Sequence, residues 1–491
     1  MNSRFNTGFN HRLVAKIQGS LLVIESLFFL LCAVAALYFG ENTSIYFLLS
    51  FFISLVLGFL ALWIGRGSST LIGKREGSVI VTVTWIIFSF IGLLPYFLSG
   101  AIPDFTDAFF ETISGFTTTG ASILVDIEAM PRSLLLWRSL THWIGGLGII
   151  VITMAVLPIF GFQGSQIYTA EVTGLSKEKL HPKVSGTAKI LLGIYLFITF
   201  VGVFSLHFAG MNWFDAVNHS LSTVSTGGFS TRNTSIAYWQ SPAIEWVTIA
   251  IMTFSSINLS LYFFLIKGKF RKFFRDEEMR TFFWLIVVST VIILSRQIYI
   301  REFELEDLWE GFRGVLFTVT ALISTTGFYS IDYSGWKEVA YILLLLTFIG
   351  GSAGSTSGGV KVIRVLLVFK YCYYEFKRMI HPNAVFPVRY NGVAIKESVI
   401  TKMLAFLLLY VILSLLGSGV LCFAGLGFEE AISGMVSCLG NVGPGLGRLG
   451  PIESYQAIPV FAKWFMSFAM LVGRLEFFTV LLIFTPAFWK K

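Results

Sequence analysis

The sequence predicts an all-α polytopic membrane protein of ten spanning helices and four re-entrant half-helices, built as a fourfold repeat behind an extra N-terminal helix pair. Composition is the first ground. Of 491 residues, 55% are hydrophobic and 13% charged, against about 25% charged in a soluble globular protein. A water-soluble fold of this length would lack the polar side chains to cover its surface. The second ground is the recurrence of apolar stretches near the ~20 residues that a helix needs to cross ~30 Å of hydrocarbon. The third is a set of four short segments between those stretches, too polar for lipid and too apolar for ordinary loops.

Taken in order, spans are expected near 19–40, 44–65, 78–100, 133–160, 185–210, 239–267, 276–300, 336–370, 397–425 and 459–486. The first contains Ala33, Val34 and Ala35 after a basic stretch, as a signal peptide would. Its apolar run is too long for a signal core and suits a retained helix. An even number of crossings puts both termini on one side, and basic loops choose that side. With the N-terminus inside, the inner segments 1–18, 66–76, 161–189, 267–280, 361–402 and 490–491 hold 26 of the 36 Lys and Arg against eight Asp and Glu. Outer loops are acidic, as at Glu302, Glu304, Glu306, Asp307 and Glu310. Both termini are therefore expected in the cytoplasm. This placement accounts for the net charge of +8 without a nucleic-acid partner. Cys32, Cys372, Cys422 and Cys438 lack metal-ligand spacing and read as buried small hydrophobes.

The four intermediate segments cover 107–122, 215–230, 311–330 and 430–445. Their endings read TTTGAS (117–122), STGGFS (225–230), STTGFYS (324–330) and GNVGPG (440–445). Aligning Gly120, Gly227, Gly327 and Gly443 gives separations of 107, 100 and 116 residues, a fourfold internal repeat. The chain then divides into a helix pair (1–77) and units at 78–161, 162–270, 271–380 and 381–491, each a span, a half-inserted segment and a second span.

Non-helical backbone survives at membrane depth only when buried in protein or lining a wet path. Four such segments can surround one axis, with their half-helices entering from outside. The partially negative C-terminal ends then face a central cavity and favour a cation there. The residues before each glycine are Thr118 and Thr119, Ser225 and Thr226, Thr325 and Thr326, and Asn441 and Val442. Rings of their carbonyls can replace the hydration shell of an alkali cation. The glycine supplies positive φ or close backbone approach. No carboxylate lies in these cores, which disfavours a divalent ion. One such triplet alone would read as a helix-packing patch; four at near-equal spacing read as a filter.

With these segments, and with THWIGGLGI (141–149), GGSAGSTSGGVKV (350–362) and GRLEFFTVLLIFTPAFW (473–489), the chain resembles the Trk/Ktr/HKT superfamily of potassium transporters. It looks most like the membrane subunit of bacterial Trk-type potassium uptake, over essentially its whole length. The resemblance implies four M1–P–M2 units around a pseudo-fourfold pore, K+ as the transported ion, residence in the bacterial cytoplasmic membrane, and a homodimer. It also implies a TrkA-like cytosolic nucleotide-binding ring as regulatory partner. Glycine at position 120 goes with potassium selectivity in this superfamily. The fourth filter departs from the pattern, with Asn441 and Val442 in place of hydroxylated residues.

Gly350, Gly351, Gly354, Gly358 and Gly359, with Ser352, Ser355, Thr356 and Ser357, interrupt the eighth span. Each glycine costs a helix about 1 kcal/mol relative to alanine. By composition this is either an irregular intramembrane loop obstructing the path or a tight small-residue crossing, and the resemblance favours the loop as a gate. Arg474 lies deep in the last span, where an ionisable group faces a wet cavity or a partner. It is expected to face the pore near the glycine loop as a fixed positive barrier, or to bond loop carbonyls. Glu476 sits on another helical face and is not its local partner. Arg138 and His142 are expected to tie outer loops, Asn258 with Ser255 and Ser256 to bond another helix or mark a bend, and Glu25 to pair within the bundle.

The basic inner loops 267–280 and 361–396 can orient the chain, contact anionic lipid, or dock a regulator. The chain carries no dinucleotide-binding or P-loop pattern, so nucleotide regulation requires a partner. A channel-like permease is expected over a secondary transporter coupling potassium to proton or sodium movement, because coupling needs titratable groups that the filters lack. An embedded enzyme is disfavoured. His11, His142, His181, His207, His219 and His381 are scattered, without metal-ligand spacing or a paired nucleophile.

Overall fold

The structure is a computed structural model and describes residues 9–68, 73–155, 184–300 and 307–489. The basic stretch 161–183, Glu302, Glu304, Glu306 and the C-terminal lysines lie outside the described residues.

Helices α1 (His11–Phe39) and α2 (Ser44–Ile64) pack along each other. Their outward faces expose Leu27, Leu31, Val34, Phe52, Val56 and Leu60, a surface suited to lipid. A long helix, a short helix of 12–16 residues and a second long segment, unbroken in the first set and broken in the other three, follow one another four times, a long–short–long order. It runs first through α3 (Lys74–Gly92), α4 (Phe105–Phe116) and α5 (Arg132–Ala155). It recurs in α6 (Val184–Phe208), α7 (Trp213–Val224) and α8 (Pro242–Ser256), which continues as α9 (Leu259–Ile266). The third set is α10 (Glu277–Tyr299), α11 (Leu308–Ile323) and α12 (Ala340–Ile349), continued by α13 (Val362–Ile380). The fourth is α14 (Glu397–Phe423), α15 (Phe428–Gly440) and α16 (Val460–Arg474), continued by α17 (Phe477–Leu481).

Capping residues fix where the short helices begin. The Asp104 side chain accepts from Asp107 N at 3.0 Å, and Asn212 accepts from Asp215 N at 2.8 Å. Glu430 reaches back to Gly427 N at 3.0 Å. Each cap satisfies N–H groups that helix geometry leaves open.

Among the described residues, six helices are long and apolar enough to cross a membrane, or eight if two bent pairs each count as one span. The expected spans 239–267 and 459–486 are those bent pairs, turning by 96° and 113°. At the first, Ile257 and Asn258 leave helical geometry and the Asn258 side chain caps α9, accepting from Ser260 N at 2.9 Å. Asn258 is thus a bending point. At the second, Glu476 takes φ 58°, a conformation costing a non-glycine residue about 1–2 kcal/mol. Its carboxylate is held by Arg364 at 2.6 Å. The expected span 336–370 is two helices separated by residues 350–361, so the glycine-rich stretch is a loop and not a packed helix. Span 133–160 is α5 as far as Ala155.

Each short helix packs against both long helices of its own set and against the second long helix of the preceding set. These last contacts are α5 on α7, α8 on α11, α12 on α15, and α16 on α4, which closes a ring. Buried ion pairs staple two of these junctions, Arg313 with Glu245 (2.7 Å) and Lys463 with Asp107, and a third, Arg138 with Glu111 (2.6 Å), ties α5 to α4 within the first set. Two sequence expectations need correction. Cys372 and Cys422 are exposed, while Cys32 and Cys438 are buried; the exposed pair sit on helix faces turned away from the core. Glu25 is buried, yet neither carboxylate oxygen has a hydrogen-bond partner among the described residues. The predicted pairing is therefore not found there.

Candidate functional site

The four short helices end in the same backbone motif. The residue after the first turn-out takes a left-handed conformation: Thr118 (φ 51°), Thr226 (φ 55°), Thr325 (φ 57°) and Asn441 (φ 53°). Two residues later comes a glycine at positive φ: Gly120 (84°), Gly228 (89°), Gly327 (73°) and Gly443 (104°). Between them, the amides of Thr119, Gly227, Thr326 and Val442 donate to Ser114, Ser222, Ala321 and Ser437 carbonyls at 2.9–3.0 Å. Three β-branched threonines in a left-handed well is strain of the kind that persists where surroundings over-determine it.

This motif corrects the register of the second loop. The sequence alignment took Ser225, Thr226 and Gly227 as the equivalents of Thr118, Thr119 and Gly120. The backbone instead equates Thr226 with Thr118, Gly227 with Thr119, and Gly228 with Gly120. Ser225 belongs with Thr117, as the last helical cap. Near-equal spacing cannot resolve a one-residue slip when two glycines are adjacent. A signal did exist: with Gly228 aligned, Phe229 matches Phe328 and Ser230 matches Ser122.

The loops close on one another. A Cβ added to Gly120 would lie 2.1 Å from the Gly227 carbonyl oxygen, one on Gly228 2.0 Å from Thr326 O, and one on Gly327 2.1 Å from Val442 O. One on Gly443 would lie 2.7 Å from Thr119 O. Each glycine therefore rests on the equivalent carbonyl of the next loop, and four carbonyls complete a circuit. All four glycines line one small space of about 90 Å³, shared with Arg138, Arg232, Tyr329 and Tyr455. The other predicted loop residues, Thr118, Thr119, Thr226, Thr325, Thr326, Asn441 and Val442, are fully buried in these walls.

Side chains behind the loops are tied down. Thr119 Oγ1 lies 2.7 Å from Thr117 Oγ1, and Thr326 Oγ1 lies 2.8 Å from Ser324 Oγ. Asn441 Nδ2 donates to Thr119 Oγ1 (3.0 Å) and to Met470 O (2.9 Å), joining the fourth loop to the first. Arg138 donates to Glu111 and, at 2.8 Å, to the Ser230 carbonyl, so it ties outer segments as expected. His142 does not. Its ring packs behind the second loop, where Nδ1 meets Ser222 Oγ at 3.1 Å. Near this small space Asn233 donates to Asp126 at 3.1 Å, and this hydrogen bond draws the Asp126 carboxyl below its ordinary range.

Below the ring lies the 350–361 loop. Gly358 N donates to Thr325 Oγ1 at 2.8 Å, and Thr356 Oγ1 donates to Val224 O at 3.0 Å. A Cβ on Gly358 would lie 2.0 Å from Gly440 O. The loop thus touches the C-terminal ends of three short helices. Gly350, Gly354 and Gly359 take positive φ. Gly351 and Ser352 abut Ser256, and Gly354 abuts Asn258. Ser355 Oγ donates to Ser352 O at 2.6 Å.

Arg474 is brought to this loop, as expected. Its Nη1 donates to Thr356 O at 2.7 Å, while Nε and Nη2 have no hydrogen-bond partner among the described residues. Of the two anticipated roles, the bond to a loop carbonyl is the one made by this contact. The sequence missed Glu278. Its buried Oε1 accepts from Ala353 N (2.7 Å) and Ile363 N (3.2 Å), at both ends of the loop. Next to it, Asp276 and Glu277 bind the β-hairpin Arg389–Tyr390 and Val393–Ala394. Tyr390 Oη meets Asp276 at 3.1 Å, and Asn391 accepts from Glu277 N at 2.9 Å. No spacing signal could reveal Glu278, because its targets are backbone amides 75 and 85 residues away.

Comparison with known proteins agrees with this architecture. The family described as TrkH, cation transport protein, matches residues 43–491. The Trk system potassium uptake protein TrkH of Salmonella typhimurium is 37% identical, the alignment covering 98% of this chain and 99% of that protein. TrkG of Escherichia coli is 33% identical over 98% of this chain and 99% of its own length. The crystal structure of the potassium transporter TrkH from Vibrio parahaemolyticus superposes with a TM-score of 0.88 at 33% identity, covering 98% of this chain and 99% of that one. With the whole length matched in sequence and in fold, this chain belongs to the TrkH family of cation transport proteins.

Proposed function

We propose that this protein takes up potassium across the bacterial cytoplasmic membrane through a selective, gated, channel-like pore. The observation that carries the reading is the circuit of equivalent carbonyls from Thr119, Gly227, Thr326 and Val442, each beside the next loop's glycine. Such a ring can stand in for the hydration shell of a monovalent cation. The short helices direct their C-terminal dipoles to its inner side, which lowers the energy of a cation there. Relatives named as potassium uptake proteins support K+ as the cargo.

In this reading the four long–short–long sets are M1–P–M2 units around a pseudo-fourfold axis, ten spans in all, with the α1–α2 pair outside the pore. The filter comprises Thr118, Thr119, Gly120, Thr226, Gly227, Gly228, Thr325, Thr326, Gly327, Asn441, Val442 and Gly443. The gate comprises the 350–359 stretch with Arg474. The basic bias of the inner segments supports cytoplasmic termini. Partner subunits fit the Trk-system names of the relatives; we assign the basic inner loops to a TrkA-like cytosolic ring and the assembled state to a homodimer. The protein is a transporter and not an enzyme.

The test is cation uptake into liposomes containing the purified protein, comparing potassium, rubidium and sodium. Potassium and rubidium are expected to enter and sodium to be excluded. Uptake should persist when the proton gradient is collapsed at fixed voltage, whereas its loss would favour coupled transport. Gly327→Ser forces a side chain onto left-handed backbone, at about 1–2 kcal/mol, and against Val442 O at 2.1 Å. Roughly tenfold loss of discrimination against sodium is expected; retained discrimination would remove Gly327 from the filter.

A further inference from the structure

The second loop lacks a side chain at the position that Thr119, Thr326 and Val442 fill in the others. Gly227 stands there, with no positive φ to require glycine. The reason is steric. A Cβ on Gly227 would lie 2.1 Å from His142 Nδ1, 2.4 Å from Cγ and 2.6 Å from Cε1. The imidazole therefore lies against the Gly227 backbone, in the direction a side chain would take.

His142 cannot withdraw easily. It is 0% exposed, Nδ1 meets Ser222 Oγ at 3.1 Å, and the ring stacks on Phe229 with centroids 3.9 Å apart. Phe229 in turn carries the Arg138 guanidinium at 3.5 Å. Ser222 is also the residue whose carbonyl accepts from Gly227 N, at 2.9 Å. One ring thus braces the loop from behind and bonds the turn that shapes it. In the first and third loops that bracing is local, through the Thr119–Thr117 and Thr326–Ser324 hydroxyl contacts.

We propose that His142, on α5 of the first unit, is a positioning residue for the second filter loop, its imidazole replacing the side chain that the neighbouring loops carry themselves and fixing the Gly227 carbonyl in the ring. The proposal rests on the filter reading above. It makes the ring dependent on a group from the preceding unit at this one corner. Close packing explains why the exchange must be reciprocal, since a buried void or an overlap each displaces the backbone.

The test uses the full-length protein in liposomes and reads the potassium-to-sodium uptake ratio for His142→Ala, Gly227→Thr, the double variant and Gly327→Ser. Each single change at the pair is expected to lower the ratio about tenfold, and the double variant to return to within about threefold of the parent, the coupling expected of residues in contact. An unchanged ratio in His142→Ala, or a double variant as poor as the worse single, overturns the proposal. So does a lowered melting temperature with an intact ratio, which would mark a purely structural role. If Gly227→Thr does not fold, His142→Asn replaces it: an intermediate ratio is expected, and the parental ratio overturns the proposal. Gly327→Ser separates the two levels. If it also leaves discrimination intact, the filter reading itself fails; if it alone loses discrimination, only the role of His142 fails.

Discussion

The ring of glycine loops and the 350–361 loop beneath it are both irregular, buried backbone between helices, yet they are held in different ways. The ring is made four times over. Each of its loops is fixed by the same amide-to-carbonyl bonds and wedged against its neighbour, with glycine Cα atoms in contact with carbonyl oxygens. The inner loop is made once, in the third unit, and no two of its ties are alike: Gly358 N to Thr325 Oγ1, Thr356 Oγ1 to Val224 O, Ser352 N to Ser256 O, Leu259 N to Gly354 O, Arg474 to Thr356 O, and Glu278 to Ala353 N and Ile363 N. The repeated element rests on four equivalent backbone contacts, whereas several ties of the single one are side chains that can be exchanged one at a time.

The largest effect should come from the ring. Gly120→Ala places a methyl 2.1 Å from Gly227 O on backbone at φ 84°. Neither neighbour is a flexible side-chain end, so potassium uptake is expected to be abolished while the protein remains inserted. Uptake at the parental rate would show that the contact is loose and would erase the contrast with the inner loop.

Next, Glu278→Ala frees the inner loop without touching the ring. It leaves two buried amides unpaired, at about 1–3 kcal/mol each. Faster potassium leak with an unchanged potassium-to-sodium ratio is expected in liposome flux. A changed ratio would mean that the two regions are not separable.

The smallest effect is expected from Arg474→Ala, which removes one bond to Thr356 O and a cation beside the loop. A charged hydrogen bond contributes about 1.5–3 kcal/mol, but relief from keeping a buried guanidinium offsets part of it. A modest rise in uptake rate at constant selectivity is expected. Unchanged rates would leave Arg474 as a structural tie only.

Much of this was readable from the chain. Thr118, Thr119, Gly120, Thr325, Thr326, Gly327, Asn441, Val442 and Gly443 each fall at the predicted position in their loop, because the motif is local and short. The second loop slipped by one residue because STGGFS offers two glycines and periodicity does not rank them. The glycine stretch was ambiguous by composition, since small residues serve both a loop and a close helix crossing. Its contact with Asn258, Ser256 and Glu278 depends on helices that meet only after folding. The 96° bend at Asn258 was legible as an alternative but not as an outcome.

By itself the sequence determined the solvent of this protein and where its glycine-bearing loops fall, because hydropathy and the spacing of small residues are properties of neighbours along the chain. Tertiary structure alone decided which carbonyl each glycine faces, that His142 fills the place beside Gly227, and that Glu278 clasps a loop from a helix beginning some 75 residues earlier. Those contacts are set by close packing between units, and close packing has no signature in sequence distance.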